Sequence, residues 1–171
     1  MKTVVAISAC AVLAACGTMG ASEGPSASTR LHSKSGSTVS GWVKFTQVGS
    51  QVRVTGEIAG HKPGPKGFHI HEKGDCSAAD AMSTGGHFNP AKGKHGAPGM
   101  GHAGDFGNLV FDDWGSVTIN QMVSGIVVDR TSANGIIGRA VIVHAQPDDL
   151  KTDPTGNAGG RVACGIIEAI H

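Results

Sequence analysis

From Thr29 to the end of the chain, apolar positions recur every second residue in short runs. In TVSGWVKFTQV, Val39, Gly41, Val43 and Phe45 alternate with polar neighbours, and in QVRVTGEIAG Val52, Val54 and Gly56 do the same. A period of two belongs to a strand with one face buried, and Gly49–Ser50 between the two runs predicts a tight turn. GFHIHE, NLVFDD, GSVTIN, GRAVIVHA and RVACGIIEAI are further strand candidates, β-branched and bounded by Gly, Pro, Asn or Asp. No stretch of useful length carries the helical period. Short strands and two long glycine-rich connections, at about residues 73–105 and 145–160, predict an all-β antiparallel sandwich or barrel. Connections of that length inside a compact domain are generally functional or disordered, and the histidines in the first favour function.

The beginning of the chain does not share this pattern. Lys2 precedes the apolar run VVAISACAVLAA, which is too short for an ordinary membrane-spanning helix and ends in small residues. Met1–Ala15 therefore reads as a secretory signal. LAAC at 13–16 resembles the lipobox of bacterial lipoproteins, making Cys16 the expected lipidation site; otherwise it is an odd thiol in an oxidising compartment. Residues 16–28 are small and polar, the composition of a flexible tether. Residues 29–171 are then a single domain. The expected location is the cell envelope, on the periplasmic side, with the lipid anchor as the membrane contact. Removing Met1–Ala15 takes away one lysine and leaves 13 basic against 13 acidic side chains. A net charge near zero offers no global basic patch for nucleic acid.

The chemistry is concentrated between Gly67 and Asp105, which holds five of the nine histidines: His69, His71, His87, His95 and His102. In a strand, His69 and His71 project from one face while Phe68 and Ile70 enter the core. An HxH pair alone is a weak signal. Here His87, His95 and His102 follow at regular gaps, Asp105 stands three residues beyond His102, and His144 ends the apolar run IIGRAVIVHA. By itself His144 reads as a buried core histidine; with the others it reads as a metal ligand. Imidazole suits zinc, copper, nickel or iron. Six histidines and a carboxylate exceed the ligands of one tetrahedral ion, whereas two ions sharing one imidazole would use all seven.

GFHIHEKGDC, GGHFNP, KHGAP, HAGDFGN, NGIIGRAVIVHA and TGNAGGRVACGII resemble, in order, the signature segments of copper–zinc superoxide dismutases. The resemblance covers the chain after about Thr29. It implies an eight-stranded Greek-key β-barrel with a zinc/disulfide loop and an electrostatic loop. It implies one copper ion held by His69, His71, His87 and His144, and one zinc ion held by His87, His95, His102 and Asp105, with His87 bridging. It further implies Asp148 as the carboxylate behind the ligands, and a disulfide between Cys76 and Cys164. Arg161 becomes the active-site arginine and Thr155 the residue narrowing the channel opposite it.

The activity implied is dismutation of superoxide to dioxygen and hydrogen peroxide, with copper cycling between Cu(II) and Cu(I) beside redox-inert zinc. A non-catalytic copper or zinc carrier on the same barrel is the rival; it would be expected to lose ligands, Asp148 or Arg161, and none is lost. A generic zinc-binding lipoprotein would leave Arg161 unexplained. Three features depart from the familiar eukaryotic pattern: a short interval from His95 to His102, a longer loop at 77–86, and a short DDLKTDP before Thr155. Lys92, Lys94 and Lys151 are the candidate steering charges, each with a plain surface reading beside it. His32, His61 and His171 match no ligand and read as surface histidines. A homodimer is compatible with the sequence, with Trp42 and Trp114 as candidate anchors; the face it would use stays open.

Overall fold

The alternating runs become antiparallel strands in a computed structural model that describes residues 23–171. They are β1 (Glu23–Ser33), β2 (Ser40–Val48), β3 (Gln51–Ala59), β4 (Gly64–His71), β5 (Asp105–Phe111), β6 (Ser116–Val123), β7 (Ala140–His144), β8 (Arg161–Ile166) and the short β9 (Glu168–Ala169). Helix among the described residues is limited to a single 3-10 turn, Met82–Thr84. The signal segment and Cys16 lie outside the described residues. The hairpin turn at Gly49–Ser50 falls where the alternation places it, with Val48 opposite Gln51.

One boundary differs from the expectation. β1 begins at Glu23 rather than near Thr29, so residues 23–28, read as tether, lie in a strand that pairs with β2 at Glu23 and again from Ser26, with an irregularity between. Ala27 faces Phe45 across this ladder and is fully buried. The reason is size: a methyl flanked by two serines keeps the period of two but adds too little hydropathy to mark a strand.

Strand order runs β5-β4-β7-β8-β1-β2-β3-β6, with β9 added to β1. A tight turn at Asp112–Ser116 joins β5 to β6 and brings the ends of that order together. Eight strands thus form a nearly closed barrel. The β3–β4 and β6–β7 connections cross it, which is Greek-key topology. Inward positions fill the barrel with Leu31, Phe45, Ile58, Phe68 and Ile70, none more than 1% exposed. The β6–β7 connection adds Ile126, Val128 and Ile136 to the same core.

Three neighbouring strands set up the functional face. Alternation sends Phe68, Ile70, Val141, Val143 and Ala163 inward. The intervening residues His69, His71, Ile142, His144 and Cys164 therefore project from the outer wall. They are nevertheless buried, because the long β4–β5 and β7–β8 connections fold over that wall. Beneath the first connection Ala81, Ala140, Ile142 and Cys164 form a second small apolar cluster, with Cys76 packed on it. There Cys76 and Cys164 form a disulfide across 88 residues of sequence.

Closing a loop of that length restricts the unfolded chain by about 4 kcal/mol. Reduction of the Cys76–Cys164 bond is expected to lower unfolding stability by about that amount, read from urea midpoints with and without reductant. Equal midpoints would show that the bridge adds no stability.

Candidate metal centre

Pairing register brings the histidines together. In β4 against β7, His69 lies opposite Ile142 and His71 opposite Ala140. A bulge between Val143 and His144 then sets His144 against Arg161 of β8. An isolated bridge from His71 to His87 draws the β4–β5 connection onto the wall. Two groups result: His69, His71, His87 and His144, and His87, His95, His102 and Asp105, the ligating atoms of each lying within 4.8 Å of one another. His87 belongs to both. All seven residues are buried, none more than 6% exposed.

The hydrogen bonds behind the rings decide which nitrogen of each faces inward. His71 Nδ1 lies 3.0 Å from Gly85 O, and His144 Nδ1 lies 3.1 Å from Gly159 O. A carbonyl only accepts, so each Nδ1 carries the proton and each Nε2 presents a lone pair. Those two Nε2 atoms are 3.4 Å apart. This is lone pair against lone pair, not a hydrogen bond. Asp148 acts similarly on two other rings: Oδ2 takes His69 Nε2 at 2.8 Å and Oδ1 takes His95 Nε2 at 2.9 Å. Their Nδ1 lone pairs are then turned to the two groups. His95 Nδ1 and His102 Nδ1 lie 3.0 and 3.3 Å from Asp105 oxygens without hydrogen-bonding geometry.

Accordingly His69 Nδ1, His87 Nε2, His95 Nδ1 and His102 Nδ1 are buried with no hydrogen-bond partner. Buried polar atoms are normally paired, and each orphan costs about 1–3 kcal/mol. Converging lone pairs, with only His87 Nδ1 bonded within the groups, to Asp105 Oδ1 at 2.8 Å, fit a cation. The all-imidazole group suits copper and the group with the carboxylate suits zinc. The second-layer partners fix tautomer and ring direction, as such contacts do at metal sites.

Electrostatics agree. Burial pushes His69 down to about 4 and His144 down to about 3, and it holds His71 well below 6.5 with help from neighbouring His144 and Arg161. Burial alone would raise Asp148, but hydrogen bonds from His69, the Leu150 amide and His95 outweigh it and keep the carboxylate ionised. The Asn108 side chain pins the Asp148 backbone from both sides, at 2.9 and 2.8 Å. Gly156, at φ 62°, passes so close to the Asp148–His95 bond that any Cβ there would collide with both partners.

A solvent-open channel reaches this centre, lined by His71, His144, Arg161, Thr155, Asp80 and Met82 among others. Arg161 is 9% exposed, and its Nη1 and Nη2 are fastened to the 81–85 turn. The long 77–86 segment thus builds one channel wall. Lys92, Lys94 and Lys151 are exposed and lie outside the residues lining it. The short His95–His102 loop is closed from across the site: the His95 amide donates to Asp153 Oδ1 at 2.8 Å.

Some participants carried no sequence signal. His61, read as an ordinary surface histidine, is half-buried; its Nε2 lies 3.1 Å from the His144 carbonyl and its ring packs on Phe111 at 4.9 Å. Burial pushes its pKa down. Asn108, Thr84 and the carbonyls of Gly85 and Gly159 also contribute, through positions that only the fold brings near. His32 and His171 are exposed, as expected.

Because folded His69 and His144 sit below the ordinary 6.5, the unfolded chain binds more protons once pH falls beneath about 6.5. Stability of the metal-free domain is then lost from about pH 6.5 downward, through about 4 and on to about 3. At pH 5 the loss is about 2 kcal/mol for each of the two histidines. Urea unfolding of the chelator-treated domain at pH 7.5 and pH 5 checks this. An unchanged midpoint would mean that the rings protonate freely in the folded state.

Comparison with known proteins agrees with the geometry. The sequence model of the family described as copper/zinc superoxide dismutase (SODC) matches residues 39–167. Among solved structures, the crystal structure of the clock protein EA4 is similar at a TM-score of 0.77 and 41% identity, over 92% of this chain and 100% of that one. With the family's motifs matched across the domain, and with two residue groups suited to one copper and one zinc ion, the chain belongs to the copper/zinc superoxide dismutase family.

Proposed function

We propose that the protein dismutes superoxide to dioxygen and hydrogen peroxide, with copper held by His69, His71, His87 and His144 and zinc by His87, His95, His102 and Asp105. The observation that carries this reading is the Arg161 guanidinium, held in the same open channel as His71 and His144. A carrier needs ligands; it does not need an anchored cation beside them.

Copper bound in the four-histidine group supplies a one-electron couple, while zinc supplies a fixed positive charge without redox change. The protein's part is binding and proton placement. Arg161 donates through Nη1 and Nη2 to the 81–85 turn, leaving its Nε–H and one Nη2–H without a protein partner among the described residues. Those groups bind and orient a small anion at low entropic cost, because the guanidinium is already fixed. Thr155 lines the same channel and limits the size of what enters. His71 and His144 already hold a proton on Nδ1, and His69 holds one on Nε2, so a second proton would create a buried cation. His87 differs, because its far nitrogen belongs to the zinc group. Its Nε2 is therefore the atom placed to hold a proton and deliver it to reduced substrate.

The same proposal places the domain in the cell envelope on the periplasmic side, exported by Met1–Ala15 and anchored by a lipid on Cys16. The disulfide suits an oxidising compartment. Trp42 and Trp114, 43% and 88% exposed, stand available as contacts for a second copy. The alternative is a non-catalytic copper or zinc carrier on the same barrel. The 41%-identical relative is called a clock protein, a name that states no dismutase activity.

Arg161→Ala is expected to slow superoxide decay about tenfold or more, the effect of losing a charged hydrogen-bonding partner, while keeping both metals. It should also flatten the dependence of rate on ionic strength, because the channel loses its fixed cation. Pulse radiolysis at several salt concentrations, beside metal analysis, measures both. An unchanged rate would refute the role of Arg161, and a copper- and zinc-loaded wild type without activity would leave the carrier reading standing.

A further inference from the structure

The 3-10 turn Met82–Thr84 and the glycine after it stand between Arg161 and His71, and both side chains are tied to the same two atoms. Arg161 Nη1 donates to Thr84 Oγ1 at 2.7 Å and Arg161 Nη2 donates to Gly85 O at 2.7 Å. His71 Nδ1 lies 3.0 Å from Gly85 O and 3.4 Å from Thr84 Oγ1. Thr84 donates its own hydroxyl proton to Ala81 O at 2.9 Å, which leaves the oxygen free to accept from both sides. Thr84 is completely buried.

The turn is held in place by more than these contacts. Ala81, which precedes it, adopts φ 58°, and Gly85, which follows it, adopts φ 73°. A side chain at Gly85 would strike Glu72. The backbone is also bonded to β4's end, the Lys73 amide to Thr84 O at 3.0 Å and the Glu72 amide to Gly86 O at 2.9 Å. Such a turn cannot easily follow either side chain if one of them moves.

We infer that Thr84 is a positioning residue whose buried hydroxyl fixes Arg161 and His71 relative to each other, coupling the anion-binding group to the copper site. The inference rests on the proposed metal and anion sites, and not on dismutation itself. The threonine hydroxyl accepts from the guanidinium within a fully buried side chain. Valine keeps the shape and removes the acceptor, leaving an Arg161 N–H facing a methyl. The arginine then has reason to turn toward solvent, and the His71 ring loses its second acceptor.

The test uses the copper- and zinc-loaded domain with Thr84→Val and Thr84→Ser, and azide as the probe anion. Azide affinity, followed by the visible spectrum of the Cu(II) form, is expected to fall about tenfold in Thr84→Val and to return in Thr84→Ser. The Cu(II) paramagnetic resonance spectrum should shift in the valine variant and not in the serine variant, with metal content equal in all three. Wild-type azide affinity and spectrum in Thr84→Val would overturn the inference. So would a valine-like loss in Thr84→Ser, because the hydroxyl would then not be the cause. If Thr84→Val fails to fold, Thr84→Ala and Thr84→Ser are compared in the same way, with equal azide affinity in that pair as the overturning result. Since azide binding requires no turnover, a domain that binds azide but does not dismute superoxide would sink the proposed function and leave the Thr84 inference intact.

Discussion

Four buried imidazole nitrogens with no hydrogen-bond partner are the constraint around which this domain is built. His69 Nδ1, His87 Nε2, His95 Nδ1 and His102 Nδ1 point into the two ligand groups without a hydrogen-bond partner. A folded chain does not collect such atoms without holding them there. Acceptors on the far side of the rings do much of the holding: the Asp148 carboxylate behind His69 and His95, and in the four-histidine group the carbonyls of Gly85 and Gly159 behind His71 and His144. Each forces one tautomer, and each tautomer aims one lone pair. The barrel supplies the rigid wall, and the two long connections supply the acceptors. The cation that the groups suit relieves a repulsion which the apo protein must otherwise carry.

This division of labour explains why the connections are tied so heavily. The disulfide fastens the first connection to β8, and Arg161, at the start of the same strand, is hydrogen-bonded to that connection's 81–85 turn. The second connection is held through Asn108 on β5 and through the Asp153 contact with the His95 amide. A loop free to move by an ångström would misplace an acceptor, and with it a tautomer. The ties therefore act on ligand direction as much as on global stability.

Much of this was legible in the sequence because strands have a period of two. GFHIH states that Phe68 and Ile70 go in and the histidines go out, and the barrel obeys it. The count of six histidines and one carboxylate already called for two ions sharing a ligand. The Cys76–Cys164 pairing and the roles of Asp148, Thr155 and Arg161 were legible only through family resemblance, since an aspartate pair in a loop has no pattern of its own. What stayed hidden was of two kinds. Ala27 and its serine neighbours form a strand too small in side chain to register. His61, Asn108 and Thr84 act through partners 83, 40 and 77 residues away. No local spacing can report contacts of that range.

The hidden residues share a position: none belongs to the two ligand groups, yet each touches a residue of those groups or one that orients them. His61 lies against the backbone of His144, Asn108 against that of Asp148, and Thr84 against Arg161 and His71. Motif reading finds atoms that perform chemistry because their type is restricted by what they bind. Atoms that set the angle of other atoms are restricted only by geometry, and many residue types could serve. Thr84 is the sharpest case. Any small buried hydroxyl would satisfy the turn, but only one placed between a guanidinium and a metal-facing imidazole makes the position of the first depend on that of the second.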